Sequence, residues 1–173
     1  MGKDLKHAFL RWIDSEAGIE SLASGGPQKI VDWPRIIPFV LLHLACLGVL
    51  WVGWSPVAVW TSLFLYLVRM FAITGFYHRY FSHKAFKVGR GWQFVFAVLG
   101  NASAQRGPLW WAAHHREHHQ HSDQEDDAHS PRQHGFLWSP MGWFLSRETY
   151  PTRVRRVRDL ARYPELQWLD RND

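Results

Sequence analysis

The chain has 173 residues, a formal net charge of +5, 47% apolar residues, 16% aromatic residues and a single cysteine. That length holds one domain or at most two. Lone Cys46 excludes an intrachain disulfide and a cysteine-based zinc site. The positive surplus comes with no nucleic-acid-binding motif, so no nucleic acid partner is expected.

Residues 1–28 read as an N-terminal peripheral segment, a helix that closes at the linker Ser24-Gly-Gly-Pro27. No basic stretch leads straight into a short apolar run, so no cleaved signal peptide is expected. From Ile36 to Val68 there is no Asp, Glu, Lys or Arg. One crossing needs about 20 apolar residues, so this stretch fits two. The break falls at the turn formers Gly53-Trp54-Ser55-Pro56, which predicts a hairpin with spans at about 36–52 and 57–77. Trp33, Trp51, Trp54 and Trp60 sit where an interfacial aromatic belt belongs. Lys29 and Arg35 precede the first span, and Arg79, Lys84, Lys87 and Arg90 follow the second. The positive-inside rule then puts both ends in the cytoplasm.

His78–Arg90 reads as a polar connection. Gly91–Trp111 is a third apolar segment interrupted by Asn101, Ser103, Gln105 and Arg106, which suits a helix at the cytoplasmic surface running on through Ala112–His121. Ser122–His134 reads as an acidic loop with solvated carboxylates, and Gly135–Leu145 as a short aromatic segment touching the membrane. A basic helix with Arg153, Arg155, Arg156, Arg158 and Arg162 follows. These charges suit anionic lipid, CoA phosphates or an acidic electron donor. The fold class is therefore an all-α membrane protein: a transmembrane helical hairpin plus cytoplasmic or interfacial helices that carry histidines.

Eight of the eleven histidines fall between His78 and His129, in the boxes His78-Arg-Tyr-Phe-Ser-His83 and His115-Arg-Glu-His118-His119. Neutral imidazole is a metal ligand as well as a base near neutral pH. His115, His118 and His119 share one face of a helix by their i, i+3, i+4 spacing. His114 also fits a looser pattern, but His115 gives the tighter face. His78 and His83, five apart, diverge by about 140° on a regular α-helix, so a helix end or bend must bring them together. Imidazole suits zinc, copper, nickel or iron. More than four imidazoles on two elements point to two metals sharing a site. His43, inside the first span, reads as a satisfied core or interface residue rather than a ligand. His121, His129 and His134 read as supporting or loop histidines, and His7 as solvated.

In this order the motifs resemble the membrane fatty acid (acyl-CoA) desaturase family, of the stearoyl-CoA delta-9 kind and its bacterial relatives. The resemblance rests on Lys29-Ile-Val-Asp-Trp33, the two boxes, Gln105 through Trp111, Asp127-Ala-His129, Gly135-Phe-Leu-Trp-Ser139 and Gly142-Trp143. It implies iron, two ions per complete site, with His78, His83, His115, His118 and His119 among the ligands. It implies O2 as oxidant, electrons from a ferredoxin or a small haem protein with its reductase, and a fatty acyl-CoA or other acyl lipid as substrate. Membrane lipid surrounds the enzyme, and the product is a cis double bond, most often at carbon 9. Gln105 and Trp111 map to positions lining the bend in the acyl chain. The family carries a third histidine box and a second pair of spans, which these residues do not contain. Residues 29–173 are therefore expected to be the N-terminal portion of a desaturase domain, inactive alone. Ala113 and His114 stand where animal members have an Arg-Asp pair near the CoA headgroup, and Pro140 where relatives often have histidine. A related membrane di-iron hydroxylase or ketolase uses the same kind of centre. A non-catalytic membrane metal-binding protein needs ligands inside the spans, where only His43 qualifies.

Overall fold

The structure, a computed structural model, describes residues 9–17, 30–125, 127 and 130–173. The Ser24–Pro27 linker, Lys29, His7 and His129 lie outside the described residues. Two long helical rods dominate, Trp33–Val52 and Pro56–Ser82, each long and apolar enough to cross a membrane. The first is α1 (Trp33–Ala45), a 3-10 turn (Cys46–Gly48) and α2 (Val49–Val52); the second is α3 (Pro56–Phe71) continued by a π-helix (Ala72–Ser82). Gly53, at φ +73°, breaks the helical run between them. Pro56 then opens α3, whose N-cap Ser55 accepts from the Ala58 N–H at 3.2 Å.

Both rods leave apolar side chains bare. Leu50, Trp51 and Val52 are 76%, 81% and 87% exposed. A soluble core helix buries such residues, so this surface is made for an apolar surround. The expected limits of 36–52 and 57–77 move outward. The second rod runs past Tyr77 and carries His78 through Ser82 on the helix, correcting their assignment to a polar connection.

The core sits at the end of the second rod. Tyr77 and Phe81 of the π-helix are fully buried with Ala97 of α4 (Arg90–Asn101), Leu109, Ala112 and Ala113 of α5 (Pro108–His121), and Val157, Leu160, Leu166 and Leu169 further along. The expected helix through Gly91–Trp111 is broken after Asn101. Ala104 and Arg106 take positive φ, so Gln105 lies in the turn between α4 and α5 rather than on a helix surface. After the short α6 (Pro131–His134), the aromatic segment winds as a π-turn and a 3-10 turn, with Phe136 and Leu137 bare. The expected basic helix is instead a 3-10 turn (Val154–Arg156) and the single turn α7 (Arg158–Ala161), because its arginines bond to neighbouring elements. Helix α8 (Pro164–Arg171) follows. No strand forms among the described residues; Val31 and Ser146 make an isolated bridge.

Helix α5, which carries the second histidine box, is anchored at its N-terminus by α8. The Asp170 carboxylate accepts from the Leu109 and Trp110 N–H groups at 2.9 and 2.7 Å, and from the Thr152 hydroxyl. A negative group there satisfies otherwise unpaired donors and complements the helix dipole. The approach is close enough that a Cβ on Gly107 would lie 2.4 Å from the Asp170 Cα. Burial raises the Asp170 carboxyl to about 6 despite these donors.

Gly100 of α4 is a second close approach. A Cβ there would lie 2.0 Å from the Tyr77 ring, on the helix that carries the first box. Gly100→Val should therefore cost about 1–3 kcal/mol by overpacking. Gly89→Ala, with open space around it, serves as the control. Thermal unfolding in detergent checks this: equal melting of the two variants would show that the α4–Tyr77 contact is loose.

Candidate metal centre

The π-helix answers the problem of the five-residue spacing. Its hydrogen bonds run from residue i to i+5, so residues five apart come round to nearly the same side. The His83 N–H donates to the His78 carbonyl at 3.1 Å, and the two Nε2 atoms come to 3.1 Å. The helix end is closed by Lys84 in the left-handed region at φ 53°, which lets the Ala85 N–H reach the Arg79 carbonyl at 2.9 Å. On α5, one turn brings the Nε2 atoms of His115 and His119 to 3.0 Å.

The two pairs face each other. One ligand nitrogen from each of His78, His83, His115 and His119 lies within 4.8 Å of all the others. In a tetrahedral imidazole site with metal–nitrogen bonds of about 2.0–2.1 Å, neighbouring nitrogens stand roughly 3.4 Å apart. The four nitrogens bracket that spacing, so the donor set fits a metal ion. His115 is also kept deprotonated, as a ligand must be: burial, then the neighbouring His119, His78 and His83, lower its pKa to about 3. Burial and His83 lower that of His119 as well.

His118, expected in the same set, stands beside the four. Its ring centroid is 5.5 Å from that of His119, and its Nδ1 lies 3.0 Å from both carboxylate oxygens of Asp127. Asp127 is 1% exposed, which corrects the reading of solvated carboxylates for this residue, while Asp123 and Glu125 are exposed as expected. With Nδ1–H donating to a buried carboxylate, Nε2 is left as the lone-pair nitrogen, the arrangement that orients metal-binding histidines. His114 packs against Trp110 and Trp143 at ring distances of 4.6 and 5.6 Å. His121 bonds back to the Glu117 carbonyl.

Trp111 lies flat on His115, with centroids 4.6 Å apart and planes at 24°, and its Nε1–H donates to Gln105 Oε1 at 3.4 Å. Gln105 in turn lines a groove of about 370 Å³ with Ser103 and residues of the second rod, among them Tyr66, Arg69 and Ile73. Trp111 thus touches both His115 and Gln105, and Gln105 lines the groove.

Sequence reasoning passed over the residues that hold the boxes still. Arg153 and Arg156 ion-pair with Glu117, and Arg116 with Asp159. An arginine-rich stretch gives no sign of its partners in sequence. Asp127 had one signal, its place in the Asp-Ala-His motif.

The depressed His115 gives a pH prediction with a definite sign. Between about 6.5 and about 3 the unfolded chain binds a proton at His115 that the folded chain does not, so metal-free protein loses stability as pH falls through that window. Melting temperatures from pH 7 to pH 5 should drop less steeply in His115→Gln than in the wild type. Parallel slopes would show that His115 is not held neutral.

Comparison with known proteins follows the same lines. The fatty acid desaturase family model matches residues 53–172. The chain is 35% identical over 154 residues to an sn-2 palmitoyl-lipid 9-desaturase of Nostoc sp. (strain 36), covering 84% of this chain and 53% of that protein. It is 31% identical to an sn-1 stearoyl-lipid 9-desaturase of Anabaena variabilis, over 82% of this chain and 53% of that protein. With an acyl-CoA 5-desaturase of Anemone leveillei it shares 39% identity, over 60% of this chain and 32% of the relative. The chain thus spans about half or less of the length of these relatives. No solved structure matches it. By the match over residues 53–172 and the identity with these relatives, the chain belongs to the fatty acid desaturase family.

Proposed function

We propose that the chain forms part of an oxidoreductase that introduces a cis double bond, at carbon 9, into a fatty acyl chain at the membrane. The observation that carries this reading is the preformed group of four imidazoles beside Trp111 and the Gln105 groove. In this reading His78, His83, His115 and His119 hold iron, and His118, oriented by Asp127, faces a second ion. Further ligands come from the length that the relatives have beyond this match. Iron with O2 supplies the oxidising power that an unactivated C–H bond requires and that no side-chain acid or base provides.

What remains for the protein is placement. The groove holds the acyl chain along the second rod, and Gln105 and Trp111 stop it at the histidines with the target carbons nearest the cluster. Trp111 also covers one face of His115 and keeps bulk water from it. The balance is simple: –CH2–CH2– becomes cis –CH=CH–, an electron donor supplies two electrons, two protons enter from solvent, and O2 leaves as two waters. A ferredoxin or small haem protein with its reductase serves as donor. The two rods cross the membrane and the histidines face the cytoplasm, where such donors are found.

Two of the relatives named above act on acyl lipids and one on acyl-CoA, so the carrier is part of the test. Disrupting the gene in its source organism should lower cis-monoenoic acyl chains. A wild-type copy should restore them, and His115→Ala or His119→Ala copies should not. Labelled acyl-CoA and labelled glycerolipid fed to membranes then identify the carrier. Restoration by the histidine variants, or hydroxylated rather than unsaturated products, would overturn the reading. The purified 173-residue chain should bind close to one metal ion and leave acyl-CoA unoxidised with NAD(P)H. Two irons with turnover would contradict the ligand assignment.

A further inference from the structure

One side chain joins the two histidine boxes. Arg116 stands between His115 and His118 on α5, but its guanidinium turns away from the cluster, toward the end of the π-helix. Nη2 donates to the Phe81 carbonyl at 2.6 Å and Nε to the Ser82 carbonyl at 3.2 Å, the two peptide groups just before His83. Nη1 donates to the Arg156 carbonyl at 3.0 Å. The carboxylate of Asp159 grips the same guanidinium through both oxygens, at 2.8 and 3.1 Å. Asp159 also takes the Lys84 ammonium at 2.9 Å, on the residue just after His83.

These contacts share a geometry. The carbonyls of Phe81 and Ser82 are end groups of a helix, with few partners of their own. A planar fork of fixed donors meets them at a fixed angle, which a flexible ammonium does not do. Asp159 stays ionised to hold the fork: burial pushes its carboxyl up, but the hydrogen bonds and charges of Arg116 and Lys84 outweigh this and hold it at about 2. The side chain of Arg116 is 14% exposed, so its contacts are shielded from competing water.

We infer that Arg116, braced by Asp159, is a positioning residue that fixes the first histidine box against the second and so sets the spacing of the four imidazoles. The inference rests on the metal-binding role proposed for those imidazoles, but its structural half stands without any metal. Without the fork, the π-helix end loses these hydrogen bonds from α5, and the pair His78 and His83 loses its register with His115 and His119.

Two measurements test this. Spin labels at Arg79→Cys and Glu125→Cys, in a Cys46→Ser background, report the separation of the boxes in metal-free protein in detergent. The distribution should be narrow with Arg116 present and broad with Arg116→Gln or Asp159→Asn, at unchanged helical content. Cobalt(II) titration, followed by its visible spectrum, should then show affinity weakened by about tenfold or more, the range seen when an outer partner of a ligand is lost. Arg116→Lys keeps the charge on Asp159 but cannot reach both carbonyls, and should remain weakened. If Arg116→Gln does not fold, Asp159→Asn carries the same test with the arginine in place. Unchanged label distances in a folded variant would overturn the inference. Wild-type protein with narrow distances that binds no cobalt would uphold the spacer and defeat the metal reading instead.

Discussion

The site depends on the turn of π-helix that ends the second long rod. Two histidines five residues apart cannot face a common point from an α-helix, and they cannot be held by a loose polar connection without losing entropy whenever a metal binds. The i to i+5 bonding from Ala72 to Ser82 removes both difficulties, because it stacks His83 over His78 and keeps them on rigid backbone. Everything else near the site preserves that arrangement. Tyr77 and Phe81 bury the opposite side of the same helix, Gly100 lets α4 approach Tyr77, and Arg116 closes the helix end. Such rigidity matters because imidazoles that already stand at bonding distance do not have to be ordered by the metal.

A second layer fixes α5. Asp170 caps its first turn, Glu117 is clasped by Arg153 and Arg156 on its middle, and Asp127 holds His118 near its end. The three carboxylates are largely shielded, where ion pairs count for more than on an open surface. The arginines that seemed available to lipid or to a partner therefore divide in two. Arg153 and Arg156 pair with Glu117 of the box helix, Arg156 from an exposed position, and Arg155, Arg158 and Arg162 are exposed as well. Neutrality of His115, imposed by burial and by its neighbours, gives the same helix a lone pair ready for a metal near pH 7.

What was legible in the sequence was whatever local spacing encodes. The charge-free run gave the two rods and the Gly-Pro turn between them, and the i, i+4 spacing gave the convergence of His115 and His119. The first box announced only that a helix end or bend was needed; the π-helix that answers it also buries Tyr77 and Phe81 against distant elements, which no short window contains. Asp127 looked like one more acid in Ser122–His134 because its partner sits nine residues back on another element. Asp159 and Arg116 are separated by 43 residues and meet only once α5 and α7 pack. His118 appeared equivalent to its neighbours by helical angle, and the buried carboxylate that sets it apart is a tertiary feature.

The central claim is that four histidines from two helices bind one ion together. X-ray absorption of protein loaded with one equivalent of zinc or cobalt reads this directly, because imidazole rings scatter in a recognisable outer-shell pattern. The account predicts four imidazole nitrogens at about 2.0–2.1 Å in a tetrahedral shell, falling to three in His83→Ala. A shell of two imidazoles completed by water, or one unchanged by His83→Ala, would contradict it.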